Sequence, residues 1–293
     1  MATKGLKGKE LAELEFKLAS YEGEDKIVSS HELAEKLKET EDSVFKISTG
    51  IKSVDRLLDE VEMGELVVVT GPTGEGKTTL LMTVTKNMAD LKVSTVWFTL
   101  EVTPRQFLKK IMKSTDQLPL FYLPNKNLDN TVAWLEQRII EAKVKYDAKV
   151  IFIDHIHSIF SLARVTNNVS LEIGDLVAKI KDMAITNNLV IFLIAHCKDD
   201  PQNSAREPRK EDIRDSGLIS RLADTIMGVW RIPNRDDGTM NRRNPIDEQD
   251  NKSKIRIFKN RRTGVLGSFV MYHRDHYLSE DPFEGSGFGN NEF

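Results

Sequence analysis

Residues 71–78 read Gly-Pro-Thr-Gly-Glu-Gly-Lys-Thr and follow at once on the apolar run Leu66-Val67-Val68-Val69. That octapeptide binds phosphate only where a buried strand delivers it and a helix opens on its Lys-Thr, and the flanking sequence supplies both. Gly71, Gly74 and Gly76 let the backbone turn with its N–H groups inward, towards the N-terminus of the next helix, where negative phosphates are stabilised. The expected nucleotide-binding set is Gly71, Pro72, Thr73, Gly74, Glu75, Gly76, Lys77, Thr78 and Thr79. Lys77 reaches the β- and γ-phosphates, and the Thr78 hydroxyl completes the shell of a magnesium ion bridging them. ATP, or another ribo- or deoxyribonucleoside triphosphate, and Mg2+ are therefore the expected cofactors.

The pattern around this loop sets the fold class as α/β. Val67–Thr70 reads as a strand, Lys77–Asp90 as a helix and Val93–Leu100 as a second strand rich in β-branched and aromatic residues. Phe121–Leu123 reads as a short strand, and Val132, Leu135, Ile139, Ala142 and Tyr146 step along one helical face. Val150–Ile153 and Val190–Ala195 are continuous apolar strands, which implies a parallel sheet covered on both faces. Near the end Thr225–Trp230, Ile255–Lys259 and Ser268–Tyr272 succeed one another with little helix between, the last two as an antiparallel hairpin turning near Thr263-Gly264.

Three segments frame this core. Residues 1–46 carry Leu11, Leu14 and Leu18 at helical spacing and a Ser29/Glu32 capping box before Leu33 and Leu37, a short helical arm and candidate oligomerisation element. Two readings fit it: helices packed on their own core, or an arm docked on a neighbouring subunit. The ATPase core spans 47–278, and residues 279–293 form an acidic, glycine-bearing tail with Phe283, Phe288 and Phe293. Asn234–Lys254, polar and without periodicity, reads as a mobile loop.

Composition excludes several classes. One cysteine, Cys197, rules out an internal disulfide and a four-cysteine zinc module. No apolar run approaches a membrane-spanning length, and the basic start lacks the apolar stretch of a secretory signal, so a cytoplasmic setting is expected. A net charge of −3 argues against a surface coated for nucleic acid and leaves room for a local basic channel or loop set.

The remaining chemistry sits at strand ends. Val150-Ile-Phe-Ile-Asp154 is a strand closing on an acid, placing Asp154 as the second magnesium-holding group beside Thr78. Glu101 closes the second strand, in the crevice where parallel sheets bind ligands; it fits a water-activating carboxylate, or a glutamate that caps the Pro104 helix. His196 ends another strand and fits a γ-phosphate contact or a structural histidine. After it come Lys198, Arg206, Arg209 and Lys210 among Asp, Asn, Ser and Pro, a basic loop able to touch DNA phosphates without reading bases. Ser161–Asn168, with Arg164, is a second candidate lining loop.

Five blocks in order give these residues a family resemblance: Ser-Thr-Gly-Ile with the phosphate loop, Thr-Leu-Glu-Val-Thr-Pro, Ile-Asp-His-Ile-His, Ala-His-Cys-Lys followed by Ile213-Arg-Asp-Ser-Gly-Leu-Ile-Ser-Arg-Leu-Ala-Asp-Thr-Ile226, and Phe-Lys-Asn-Arg-Arg-Thr-Gly. From Ile47 to about Tyr277 the chain resembles the RecA-like domain of DnaB-type replicative ring helicases, in particular that of the phage primase-helicases and Twinkle. The resemblance implies that Glu101 is the catalytic base, His196 the γ-phosphate sensor and Lys198 a gripper of single-stranded DNA. It implies further that Arg261, with Lys259, is a finger pair entering the neighbour's nucleotide site.

The same resemblance implies a hexameric ring around one DNA strand, moving 5′ to 3′ on forked DNA in a bacterial or phage-infected cytoplasm. Primase and a loader are the implied partners; the acidic Phe-bearing tail separately resembles the tails by which phage replication proteins dock on a DNA polymerase, and reads equally as a plain solvated tail. The chain departs from the pattern in having about 46 residues before the core, no room there for a primase domain or collar, and Arg221 where phage enzymes commonly carry glutamine. Two rivals remain at this level: a RecA-type recombinase forming filaments, and a KaiC-like regulatory ATPase indifferent to DNA.

Overall fold

The computed structural model describes residues 8–23, 26–39, 46–112, 117–127, 131–155, 169–197, 207–213, 216–232, 252–274 and 277–281. The chain divides into two units, residues 1–45 and 46–293. In the first, α1 spans Gly8–Ala19 and α2 spans Ser30–Glu39. Ser29 Oγ accepts from the Glu32 amide at 3.1 Å, one arm of the expected capping box. Leu11, Leu14, Leu18, Leu33 and Leu37 are all exposed, so among the described residues these five leucines form no buried cluster.

The second unit begins with β1 (Lys46–Ile47), α3 (Lys52–Leu58) and β2 (Val61–Glu62), β1 and β2 pairing antiparallel. The Ser-Thr-Gly-Ile block is a structural turn here. Asp55 accepts from Ser48 Oγ, Thr49 N and Thr49 Oγ1 at 2.7 to 2.8 Å, while Gly50 turns the chain at φ +71°. The core then runs β3 (Leu66–Gly71), α4 (Lys77–Asp90), β4 (Thr95–Thr99), α5 (Pro104–Met112), α6 (Val132–Tyr146), β5 (Val150–Asp154), α7 (Val169–Asn187), β6 (Val190–His196), α8 (Ser216–Leu222), β7 (Thr225–Arg231), β8 (Lys252–Asn260), β9 (Gly267–Arg274) and β10 (Tyr277–Ser279).

Eight strands form one sheet in the order β10-β9-β8-β7-β3-β6-β5-β4. From β7 to β4 neighbours are parallel, and β8, β9 and β10 extend the sheet antiparallel beyond β7. Both faces of the parallel part are covered by apolar clusters, as unbroken Val/Ile/Phe strands require. On one face Trp97 stacks on Phe152 with centroids 4.8 Å apart, Phe152 stacks on Phe192, and Trp97 Nε1 donates to Thr85 Oγ1 at 2.9 Å. The short strand expected at Phe121–Leu123 is a single parallel bridge, Val96 to Tyr122.

Two sequence expectations shift at the C-terminal side. β8 starts at Lys252, inside the segment read as a loop, because Ser253 and Ile255 point into the fold. The segment read as tail also begins within the fold: Ser279 closes β10, and both Glu280 carboxylate oxygens accept at 2.9 Å from the amides of Lys52 and Ser53. A carboxylate on the first-turn N–H groups of α3 satisfies donors the helix cannot satisfy itself. The Phe residues of the tail and residues 233–251 lie outside the described residues.

Candidate nucleotide site and its opposite pole

The parallel register brings the chemistry to one end of the sheet. Gly71 is paired with His196, and Thr99 with Asp154, so β3, β6, β5 and β4 deliver their last residues side by side. Leu100 N donates to Asp154 O at 2.7 Å, which fixes Glu101 next to the end of β5.

The phosphate loop leaves β3 with Gly71 at φ +151°, where a Cβ would lie 2.2 Å from Val229 O. That close approach to β7 is open to glycine alone. A Cβ on Gly74, at φ +83°, would meet nothing within 4 Å, so the loop faces open space there, and Gly76 at φ +102° opens α4. Lys77 is only 5% exposed and donates to Gly71 O and Pro72 O, each at 2.8 Å. Burial pushes its ammonium below the ordinary lysine value, while Cys197, Asp154, Glu75 and Glu101 pull it back up.

Thr78 Oγ1 donates to Asp154 Oδ2 at 3.2 Å, which puts the two expected magnesium groups in contact. Burial raises the Asp154 carboxyl to about 6, against the lowering effect of the Thr78 hydrogen bond. A buried carboxylate held off its ordinary value beside a hydroxyl is an oxygen donor set that a divalent cation would stabilise in its ionised form. The residues present thus fit Mg2+.

Glu101 is not needed as a helix cap. Thr103 Oγ1 accepts from Gln106 N at 3.2 Å and Gln106 Oε1 accepts from Thr103 N at 3.0 Å, closing a reciprocal box at the start of α5. The Glu101 carboxylate, 57% exposed, instead lies 3.4 Å from His155 Nδ1. His155 in turn meets His196 edge to face, with ring centroids 4.3 Å apart. Sequence pattern does not single out His155; its place directly after Asp154 at a strand end is the one signal that could have found it.

The support behind the loop is equally silent in the sequence. Glu75, expected at the phosphates, has its side chain buried, accepting from Arg231 N at 2.7 Å. Ser253 Oγ hydrogen-bonds His273 Nε2 at 2.8 Å and donates to Glu75 O at 3.4 Å. A Cβ on Gly76 would lie 3.3 Å from His273 Cε1, so the histidine packs directly under the turn. Burial, reinforced by Arg231, lowers His273 to about 4 and keeps it neutral. No local motif marks this support, because Ser253 and His273 come from the antiparallel extension.

The sequence matches the family of DnaB-like helicase C-terminal domains over residues 46–136 and 118–280. The chain belongs to that family. Among curated relatives, the DNA helicase/primase of Enterobacteria phage T3 is 24% identical over 289 residues, covering 86% of this chain and 49% of that protein. The replicative DNA helicase DnaC of Bacillus subtilis (strain 168) is 22% identical over 296 residues, covering 90% of this chain and 63% of the relative. The chain thus spans about half to three-fifths of the length of the curated relatives it matches. Among solved structures, an isolated ATPase domain superposes with a TM-score of 0.64 at 17% identity, covering 84% of this chain and 95% of that one. A DnaB-like replicative helicase, solved in a study of its interactions with primase, gives 0.67 at 16% identity over 92% of this chain and 71% of that one. These likenesses establish the RecA-like ATPase fold.

Within this DnaB-like domain, the residues expected as a finger pair stand at the other end of the sheet. Asn260 pairs with Thr225, and Thr225 with Val67, four residues before the loop's Gly71. At the strand rise this separates Arg261 from its own phosphate loop by at least about 13 Å along the sheet. Lys259 is on β8, which ends at Asn260, and Arg261 lies in the turn just after it. Lys259 Nζ donates to Ser220 O at 2.7 Å and also to Ala223 O, closing the C-terminal end of α8. Arg261 donates to Asp224 Oδ1 at 3.1 Å and to Arg221 O, and its side chain is still 51% exposed.

Asp224 anchors this pole, since it is buried and also accepts from Leu66 N at 2.8 Å and pairs with Lys181. The neighbouring Arg262 is structural: it donates to the carbonyls of Leu58, Asp59 and Glu60 and pairs with Asp59, Glu62 and Glu65.

Of the expected DNA-contacting residues, Lys198 and Arg206 fall outside the described residues, as does the 161–168 segment with Arg164. Arg209 is exposed, and Lys210 opens a single 3-10 turn ending at Asp212. The described residues on either side of 198–206 are held by the fold. Cys197 bridges to Ile213, and Glu207 pairs with Lys254 and Arg256 on β8. Among the described residues no helix is long and apolar enough to cross a membrane.

Proposed function

We propose that the chain is the motor of an ATP-driven replicative DNA helicase: a ring, six subunits in the family's usual form, around one DNA strand, moving 5′ to 3′ and unwinding the duplex ahead. The observation that carries this reading is the separation of two half-sites. The phosphate loop, Asp154, Glu101 and His196 occupy one end of the sheet, and Lys259 and Arg261 the other, beyond reach of their own loop. A guanidinium in that position can serve only a neighbour's nucleotide, which makes assembly a condition of hydrolysis.

In this mechanism the backbone of Gly74, Glu75 and Gly76 and the Lys77 ammonium hold the β- and γ-phosphates. Thr78 and Asp154 would hold Mg2+, which when bound would supply Lewis-acid neutralisation of phosphate charge. Glu101 orients the attacking water and accepts its proton, and Arg261 of the next subunit offsets charge on the transferred phosphoryl group. His196 contacts the γ-phosphate, and since β6 runs on through Cys197 into the Lys198–Lys210 loop, its loss is felt where Lys198, Arg206, Arg209 and Lys210 meet DNA phosphates. The exposed leucines of α1 and α2 suit an arm that packs on a neighbouring subunit.

Primase and a loader are proposed partners, and the segment after Asp281, acidic and Phe-bearing, is proposed to dock on a polymerase. Because Glu280 caps α3, the truncation that tests the tail removes residues after Asp281 and spares Glu280; unchanged polymerase binding would remove the idea.

The test is unwinding of a forked duplex with ATP and Mg2+, with Lys77→Ala as the blank. Unwinding that requires a 5′ tail supports the reading. Single-strand-stimulated hydrolysis that yields filaments and no unwinding supports a recombinase, and hydrolysis indifferent to DNA supports a regulatory ATPase.

A further inference from the structure

At or just past the C-terminal ends of three adjacent parallel strands stand three metal-ligating side chains. Glu101 follows β4, His155 follows β5 and His196 closes β6, and β4, β5 and β6 are consecutive in the sheet. One donor atom from each of the three lies within 4.8 Å of the others. Glu101 and His155 are already 3.4 Å apart, and the two imidazoles meet at 4.3 Å between centroids. The backbone beneath them is rigid, since Leu100 N donates to Asp154 O at 2.7 Å and β5 is hydrogen-bonded to both neighbours.

We infer that Glu101, His155 and His196 form a second cation site, distinct from the Thr78/Asp154 magnesium pair, selective for a borderline divalent transition metal such as zinc or cobalt.

The selectivity follows from the donors. Mg2+ takes oxygen ligands and dehydrates reluctantly, so it favours the hydroxyl and carboxylate of Thr78 and Asp154. Two imidazoles and one carboxylate favour zinc, cobalt and nickel, and only small side-chain rotations are needed to bring these donors to bonding distance. The functional consequence rests on the reading above, in which Glu101 activates water and His196 senses phosphate. A metal held there withdraws both groups, so hydrolysis stops while the phosphate loop keeps its nucleotide. The site is then an inhibitory metal switch across the catalytic crevice.

The test uses the full chain, stripped with chelator, and zinc competed against a chromophoric chelator in excess Mg2+, with cobalt as a spectroscopic stand-in. The expected result is one tight zinc per chain that excess Mg2+ does not displace, and visible cobalt bands. His155→Ala and His155→Gln should each weaken binding at least tenfold, whereas Cys197→Ser, next to His196, and His31→Ala on the arm should leave it unchanged. Circular dichroism and magnesium-nucleotide binding establish that each variant is folded. Absence of tight zinc, or zinc that survives His155→Ala with His196→Ala, overturns the inference. Because metal binding is read without hydrolysis, an inactive chain that still binds zinc would count against the motor reading and leave the site standing.

Discussion

The two poles of the central sheet are built on opposite principles. At the phosphate pole the functional groups stand at strand ends and touch one another lightly: Thr78 on Asp154 at 3.2 Å, and Glu101 more than half exposed. At the finger pole every named cation is already engaged, Lys259 on the end of α8, Arg261 on Asp224, and Arg262 on three carbonyls and three carboxylates. One end is prepared to receive charge from outside, the other is fastened so that a single half-exposed guanidinium stands at a fixed place. The proposed ring would need both, because a receiving site is useful only if its neighbour presents the finger in register.

The sharpest way to break this contrast is Arg261→Ala. Loss of a trans guanidinium should cut hydrolysis by about 10³-fold or more while nucleotide affinity stays unchanged. Fluorescent-nucleotide titration beside steady-state hydrolysis separates the two, and equal loss of binding would place Arg261 in its own site. Asp224→Ala should act on the same pole through stability. Removing a buried carboxylate from Lys181, Leu66 N and Arg261 leaves a buried amide and a part-buried ammonium short of a partner, and losses of this kind cost up to about 3–5 kcal/mol in denaturant unfolding. A loss near zero would mean the pole is not fastened by that carboxylate.

At the other pole, Glu101→Gln should lower the hydrolysis rate by roughly 10²-fold or more and leave folding untouched, since Thr103 and Gln106 cap α5 without it. A shift in the unfolding midpoint would show a structural role instead.

The smallest expected effect is in pH. Asp154 is raised from 3.8 to about 6, so the folded state binds more protons than the unfolded chain between those values, and this group adds stability as pH falls from 6 towards 4. His273 is lowered from 6.5 to about 4, so it does the reverse and removes stability over nearly the same window. The two largely cancel in the native chain. Asp154→Asn should expose the loss on acidification and His273→Gln the gain, each by up to about 2–3 kcal/mol between pH 7 and 4 without nucleotide or metal. Identical slopes in both variants would show that neither group is held as the structure has it.

This contrast also explains what the sequence could reveal. Gly71 to Thr78 are legible because phosphate chemistry demands fixed residue types at fixed spacing after a buried strand, and Asp154 and His196 stand out as candidates because each closes an unbroken apolar strand. The β3, β5 and β6 strands are legible because their apolar runs are unbroken, and the Lys77–Asp90 helix because the phosphate loop must open one. His155 is not, since an isolated histidine has no spacing rule and gains its place only from the β4/β5 register. Ser253, His273 and Arg262 are hidden for a related reason: their partners Glu75, Gly76 and the Leu58–Glu65 turn are far away in the chain, and the link is made by sheet pairing. The leucines of α1 and α2 leave two packings open in sequence, and in the structure all five stand exposed.

The most direct test of the shared site is to mix two inactive chains. Lys77→Ala keeps Arg261 and Arg261→Ala keeps the phosphate loop, so in mixed rings about a quarter of the interfaces unite a sound loop with a sound finger. The account predicts that hydrolysis returns on mixing, in proportion to those restored interfaces. A mixture as silent as either parent, from rings shown to contain both chains, would place loop and finger in one subunit and contradict it.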